Sequence, residues 1–152
     1  MNDIALARAL HVLAIAHWIG GVAFVTLVVL PLAIRDNTPE LFEAVERRFG
    51  AQVRISILVA GASGLWMTWR MDLWGRFLDA DLWWMGAMAA LWAVFMLMLF
   101  VAEPLLHDVV AALVRSAPRR TLVRMMTLHV ILLLIASAII LGAVSGSHGG
   151  VF

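Results

Sequence analysis

Four long apolar runs, separated by three shorter polar stretches, set the pattern of this chain: about residues 4–34, 53–71, 82–106 and 122–144. A bilayer core about 30 Å thick is crossed by roughly 20 residues of α-helix, so each run is read as a span. Strand-like alternation of the kind a membrane barrel requires is missing, and helices satisfy their own backbone groups in lipid. The pattern predicts an all-α fold: an integral membrane four-helix bundle forming a single transmembrane domain over residues 1–152.

The first polar stretch has a periodicity of its own. Thr38 stands where a helix would be capped, Pro39 suits its first turn, and acids precede bases from Glu40 to Arg48. Leu41, Phe42, Val45 and Phe49 recur at helical spacing. A short amphipathic cytoplasmic helix, lying on the membrane surface between the first and second spans, is the expectation. The first apolar run is too long for the core of a signal peptide and lacks a small-residue cleavage site, so it is expected to be retained.

Composition strengthens the membrane reading: 64% of residues are hydrophobic and 14% charged, with a mean hydropathy of +0.98. All eleven basic residues are arginine. With four spans they divide as Arg8, Arg70 and Arg76 on the side of the termini against eight on the other, from Arg35 to Arg124. The positive-inside rule then places both termini outside, on the periplasmic side of a bacterial-type inner membrane. Trp66, Trp69, Trp74, Trp83 and Trp84 gather between the second and third spans, as an interfacial belt would. The basic balance reports topology and implies no nucleic-acid partner. The absence of cysteine excludes disulfides, iron–sulfur clusters and thiolate metal sites.

The candidate chemistry lies in the histidines. His11 and His17 both fall within the first run, and an ionisable ring inside a span is a functional-site hypothesis by default. On a helix the two point about 120° apart and differ in depth by about 9 Å, so they cannot serve one face of one site. His129 lies about one turn inside the fourth span, and a neutral imidazole in a bundle core is a good ligand for haem iron. A His17–His129 pair is the obvious bis-histidine arrangement, although rise per residue offsets the two by roughly 10 Å. His11, near the side of the termini, has Met85, Met88 and His148 as candidate partners, and Arg8 is suited to a haem propionate. His107 is read as an interfacial histidine beside an acid. Methionines such as Met85 would also suit Cu(I), but methionine is equally ordinary core filler.

The stretch Leu10-His-Val-Leu-Ala-Ile-Ala-His-Trp-Ile-Gly-Gly-Val-Ala-Phe24, with Leu30-Pro31, resembles the first span of the CopD-like membrane domain and of the HemJ-type protoporphyrinogen oxidases. Arg47-Arg-Phe49 and Leu58-Val-Ala-Gly-Ala-Ser-Gly64 resemble their second span, so the likeness covers about the first half of the chain. The resemblance implies that His11 is the family's haem-associated histidine. It also implies a lysine early in the third span, where this chain has Trp84, Met85 or Gly86 instead. The expectation that results is a b-type haem protein engaged in electron transfer or a haem-based redox reaction, with quinone or another redox protein as partner and with homo-oligomers supplying extra interior. A copper transport or resistance permease and a protoporphyrinogen oxidase-like enzyme are the alternatives.

Overall fold

The structure, a computed structural model, describes residues 3–147, and among these it is helical throughout with no strand. Helix α1 runs Asp3–Asp36, α2 Pro39–Arg70, α3 Ala80–Ser116 and α4 Pro118–Ser147. The three connections differ in kind. Asn37, in the left-handed region at φ 52°, and Thr38 turn the chain from α1 into α2. A short 3-10 turn at Trp74–Leu78 leads into α3, whose own opening turn, Ala80–Leu82, is also 3-10. Ala117 alone separates α3 from α4. An Asp3–Arg70 ion pair at 3.1 Å ties the start of α1 to the end of α2.

Three of the four helices, α1, α3 and α4, are long and apolar enough to cross a membrane. Their outward faces carry Leu13, Leu27, Leu97, Leu134 and Leu141 in the open, a contiguous apolar surface that suits lipid rather than water. Helix α2 is equally long, but Arg54, Ser56, Gly61, Ser63, Gly64 and Thr68 dilute its apolar run. Ser56, Ser63 and Thr68 are buried in the protein.

The surface helix expected after the first span does not form as a separate element. Residues 39–49 are the opening turns of α2, continuous with the rest of it. No proline interrupts residues 40–70, and the opening turns are rich in good helix formers such as Glu43, Ala44 and Arg47. The apolar stripe seen in the sequence packs largely on protein: Phe42 is buried with Val29, Leu30, Ala33 and Leu122, and Phe49 lies against Gly21. Thr38 holds the cap position without a side-chain capping bond.

Two wider π turns, Val25–Val29 in α1 and Met98–Ala102 in α3, each end two residues before a proline, Pro31 and Pro104. A proline inside a helix has no N–H to offer and crowds the carbonyl four residues back, here that of Leu27 or Phe100. Widening the preceding turn relieves that conflict while the helix continues. The core has two parts. Trp18, Val22, Val53, Ile57, Phe95 and Leu132 fill the middle; Val25, Val29, Leu30, Ala33, Phe42 and Leu122 fill the end at which the α1–α2 and α3–α4 turns lie.

Candidate functional site

Packing of α1 on α2 is close because α2 turns small residues toward its neighbours. A Cβ on Gly61 would stand 2.5 Å from the Trp92 ring, and one on Gly64 would stand 3.1 Å from Cε1 of His11. Trp92 is fixed in its slot by donating from Nε1 to the Ile57 carbonyl at 3.0 Å. His11 is fixed as well. Its Nδ1 lies 2.8 Å from the Ala60 carbonyl and 3.1 Å from Ser63 Oγ. A carbonyl only accepts, so Nδ1 carries the hydrogen. Ser63 donates its own hydroxyl hydrogen to the Val59 carbonyl at 2.6 Å, leaving its oxygen to share the imidazole N–H. The tautomer follows: Nε2 keeps its lone pair and makes no hydrogen bond among the described residues.

His11 lines a cavity of about 650 Å³ at the end of the bundle where α1 begins, within the range of roughly 300–1,000 Å³ usual for small-molecule and cofactor sites. Its wall is formed by α1, α2, the 3-10 turn, α3 and α4, and is mainly apolar and aromatic, with Trp18, Trp74, Phe77 and Trp92 among its members. Trp18 is only 4% exposed and stands edge-on to Phe95; among the described residues its Nε1 is the one buried side-chain donor without a partner. Two cations, Arg8 and Arg76, line the same cavity, and neither forms an ion pair among the described residues. Met85 and Met88 line it too.

The remaining histidines lie elsewhere. His17 does not line the cavity; it is exposed on the outer face, with Nδ1 2.8 Å from Ser56 Oγ and its ring 5.7 Å from that of Phe49. His129 is half-buried and donates from Nδ1 to the Met125 carbonyl of its own helix at 2.9 Å. The two are held by different partners. His107 is exposed on α3, near enough to Glu46 to favour its ionised form. His148 lies outside the described residues. Of the residues singled out from the sequence, the cavity thus brings together His11, Arg8, Met85 and Met88. Arg76, Ser63 and Ala60 were not singled out, and only the arginine count on the side of the termini pointed toward Arg76.

A second polar group lies toward the turn end. Arg54 pairs with Glu103 at 2.5 Å, both half-buried. Glu46, on the first turns of α2, keeps part of its surface open but is crowded by protein on the rest, and its carboxyl is raised above the usual range, first by that desolvation and then by Glu103 and Glu43, with His107 and Arg54 opposing.

Among the described residues, no three His, Cys, Asp or Glu side chains converge to hold a bare metal ion. Iron carried in a macrocycle asks the protein for only one or two axial ligands, and a fixed imidazole with a free Nε2 on the wall of a large apolar cavity meets that demand. Unpaired arginines at the same cavity complement the carboxylates of such a group. Comparison with family models, with curated proteins and with solved structures gives no match.

Proposed function

We propose that the protein is a four-span b-type haem protein of the membrane that carries electrons, in which His11 would hold the haem iron. The observation that carries this reading is the imidazole of His11, locked through Nδ1 to Ala60 and Ser63, a ring that lines the cavity and whose Nε2 is left free. Hydrogen bonding of the distal ring nitrogen to a carbonyl is the usual way in which a ligating histidine is oriented and made more basic. Arg8 and Arg76 would hold the two propionates, Trp18 and Trp92 would exclude water, and Met85 or Met88 would offer a thioether to the same group. Haem, when bound, contributes reversible one-electron exchange; the chain sets its orientation and the polarity around it.

The buried hydroxyls of α2 support its role as a fourth span, since they are satisfied within the protein rather than presented to lipid. The arginine excess at the α1–α2 and α3–α4 turns supports a cytoplasmic location for those turns and an outward one for the cavity. Quinol or a second redox protein is the natural electron partner for a site so placed. A homo-oligomer would enlarge the interior.

Met85 and Met88 beside His11 favour a second reading, a Cu(I) site in a copper permease, because thioether and imidazole together suit that ion. One preparation separates the two. Detergent-purified protein from cells supplied with haem should show a Soret band that shifts on dithionite addition, with iron stoichiometric in elemental analysis. His11→Ala should lower the haem-to-protein ratio several-fold, while His17→Ala and His129→Ala should not. Colourless protein carrying copper would replace the first reading by the second. Unchanged haem in His11→Ala would remove the ligand assignment. Restoration of haem production in a strain lacking protoporphyrinogen oxidase would favour the enzyme reading that the family likeness implies.

A further inference from the structure

The α3–α4 hairpin carries a charge imbalance that haem chemistry does not use. Asp108 is the last acidic residue of the chain, and Arg115, Arg119, Arg120 and Arg124 follow it. All four are exposed, and none forms an ion pair among the described residues. The other turn at this end is compensated. There Arg35 is paired with Asp36 at 2.7 Å, and Arg47 and Arg48 follow Glu40, Glu43 and Glu46 on the same helix.

The hairpin turn is short and hydrogen-bonded. The N–H of Ala117 donates to the Leu113 carbonyl at 2.9 Å, and Thr121 donates from Oγ1 to the same carbonyl at 3.1 Å, pinning the first turn of α4 to the last turn of α3. In α4, Arg120 and Arg124 lie on the side opposite Leu122, which is fully buried, and Arg119 stands exposed at the start of the helix one turn before it. Four arginines are therefore borne close together on one short, hydrogen-bonded turn.

Beside them runs an apolar ladder. Leu105, Leu106, Val109 and Leu113 are 74, 50, 55 and 45% exposed, and they continue the outward face that Val94, Leu97 and Val101 begin higher on α3. Unpaired cations at the end of a lipid-facing ladder match a molecule with an anionic head and long hydrocarbon tails. We propose that the α3–α4 hairpin is a binding site for anionic phospholipid, with Arg115, Arg119, Arg120 and Arg124 on the phosphate headgroup and the acyl chains along Leu105, Val109 and Leu113. Guanidinium suits phosphate because its fork of donors can bind two oxygens at once. An acidic protein would engage the arginines alone, whereas a phospholipid engages the arginines and the ladder together.

The test uses the whole solubilised protein, incubated with phosphatidylglycerol or with phosphatidylcholine at equal concentration, and counts bound lipid by native mass spectrometry. Phosphatidylglycerol should be retained in preference. An arginine near an anionic headgroup layer contributes about fivefold in affinity, so Arg119→Gln with Arg120→Gln should cost about 25-fold for phosphatidylglycerol and nothing for phosphatidylcholine. Arg47→Gln with Arg48→Gln should leave both unchanged. An unaltered Tm without lipid would show that the variants fold, and the rise in Tm given by phosphatidylglycerol should vanish only in the Arg119/Arg120 variant. Equal retention of the two lipids, or equal losses in the two double variants, would overturn the proposal.

Discussion

Replacing glycine by alanine at three positions in the spans isolates what the close approach of rings to α1 and α2 is worth. In a helix interior alanine is better than glycine by about 0.5–1 kcal/mol, because glycine has more freedom to lose on folding. Gly20 has open space where a Cβ would stand, so Gly20→Ala should collect the whole of that gain. At Gly61 the new methyl would meet the Trp92 ring at 2.5 Å, and the indole cannot swing aside without breaking its 3.0 Å bond to Ile57. Overpacking of this kind costs about 1–3 kcal/mol, so Gly61→Ala should be a net loss of about 1–2 kcal/mol. Gly64→Ala falls between: at 3.1 Å from Cε1 of His11 the imidazole needs to retreat only a few tenths of an ångström. Its stability should be near the parent's, and its cost should be felt in the 2.8 Å bond to Ala60. Thermal unfolding in one detergent, read by circular dichroism, should give the order Gly20→Ala above parent, parent near Gly64→Ala, and Gly61→Ala lowest. At about 2–4 °C per kcal/mol for a chain of this length, the outer members should differ by on the order of 5 °C. A Gly61→Ala protein as stable as Gly20→Ala would refute the packing argument, and haem content unaffected by Gly64→Ala would weaken the tie between that glycine and the ligand.

Two further outcomes follow from the charged groups. If Arg8 and Arg76 hold propionates, haem should bind more tightly than its dimethyl ester, and Arg8→Gln with Arg76→Gln should erase the difference measured by titration of apoprotein; equal affinity for both porphyrins in the parent would remove the arginines from the site. Glu46 has a folded-state carboxyl pKa raised above its ordinary value, so the folded state binds the extra proton and stability falls as pH climbs from the ordinary value through the raised one, then stays level. Glu46→Gln should therefore raise Tm at neutral pH and lose that advantage in acid, and an advantage independent of pH would contradict the assignment.

Helices were the most legible part of the sequence, because hydropathy over long windows is insensitive to detail. The runs around Val12, Val94 and Ile131 became helices that are long and apolar enough to cross a membrane. The stripe of Leu41, Phe42, Val45 and Phe49 was visible too, but its partner was not: periodicity reveals that a face is apolar and is silent on whether lipid or α1 covers it. Burial of Phe42 against Leu30, Ala33 and Leu122 depends on residues far apart in the chain. The π turns escaped for a different reason, since Pro31 and Pro104 act on backbone carbonyls and leave no mark on a hydropathy profile. Of the site, His11 was legible as a rare residue type in a rare place. Its tautomer was not, because Ala60 and Ser63 lie 49 and 52 residues away. Rotation per residue set His17 and His11 about 120° apart, and in the structure His11 lines the cavity while His17 lies beside Ser56 and outside it.

The widened turns above Pro31 and Pro104 hold one residue more than an α turn does. An extra residue in an ordinary helix rotates everything beyond it by about 100° and would carry lipid-facing leucines into the interior. Here that residue is absorbed locally, so the two halves of α1 and of α3 keep their own orientations. Length and rotational phase are thereby uncoupled at these two points, which makes them the places where this chain should best tolerate a one-residue deletion.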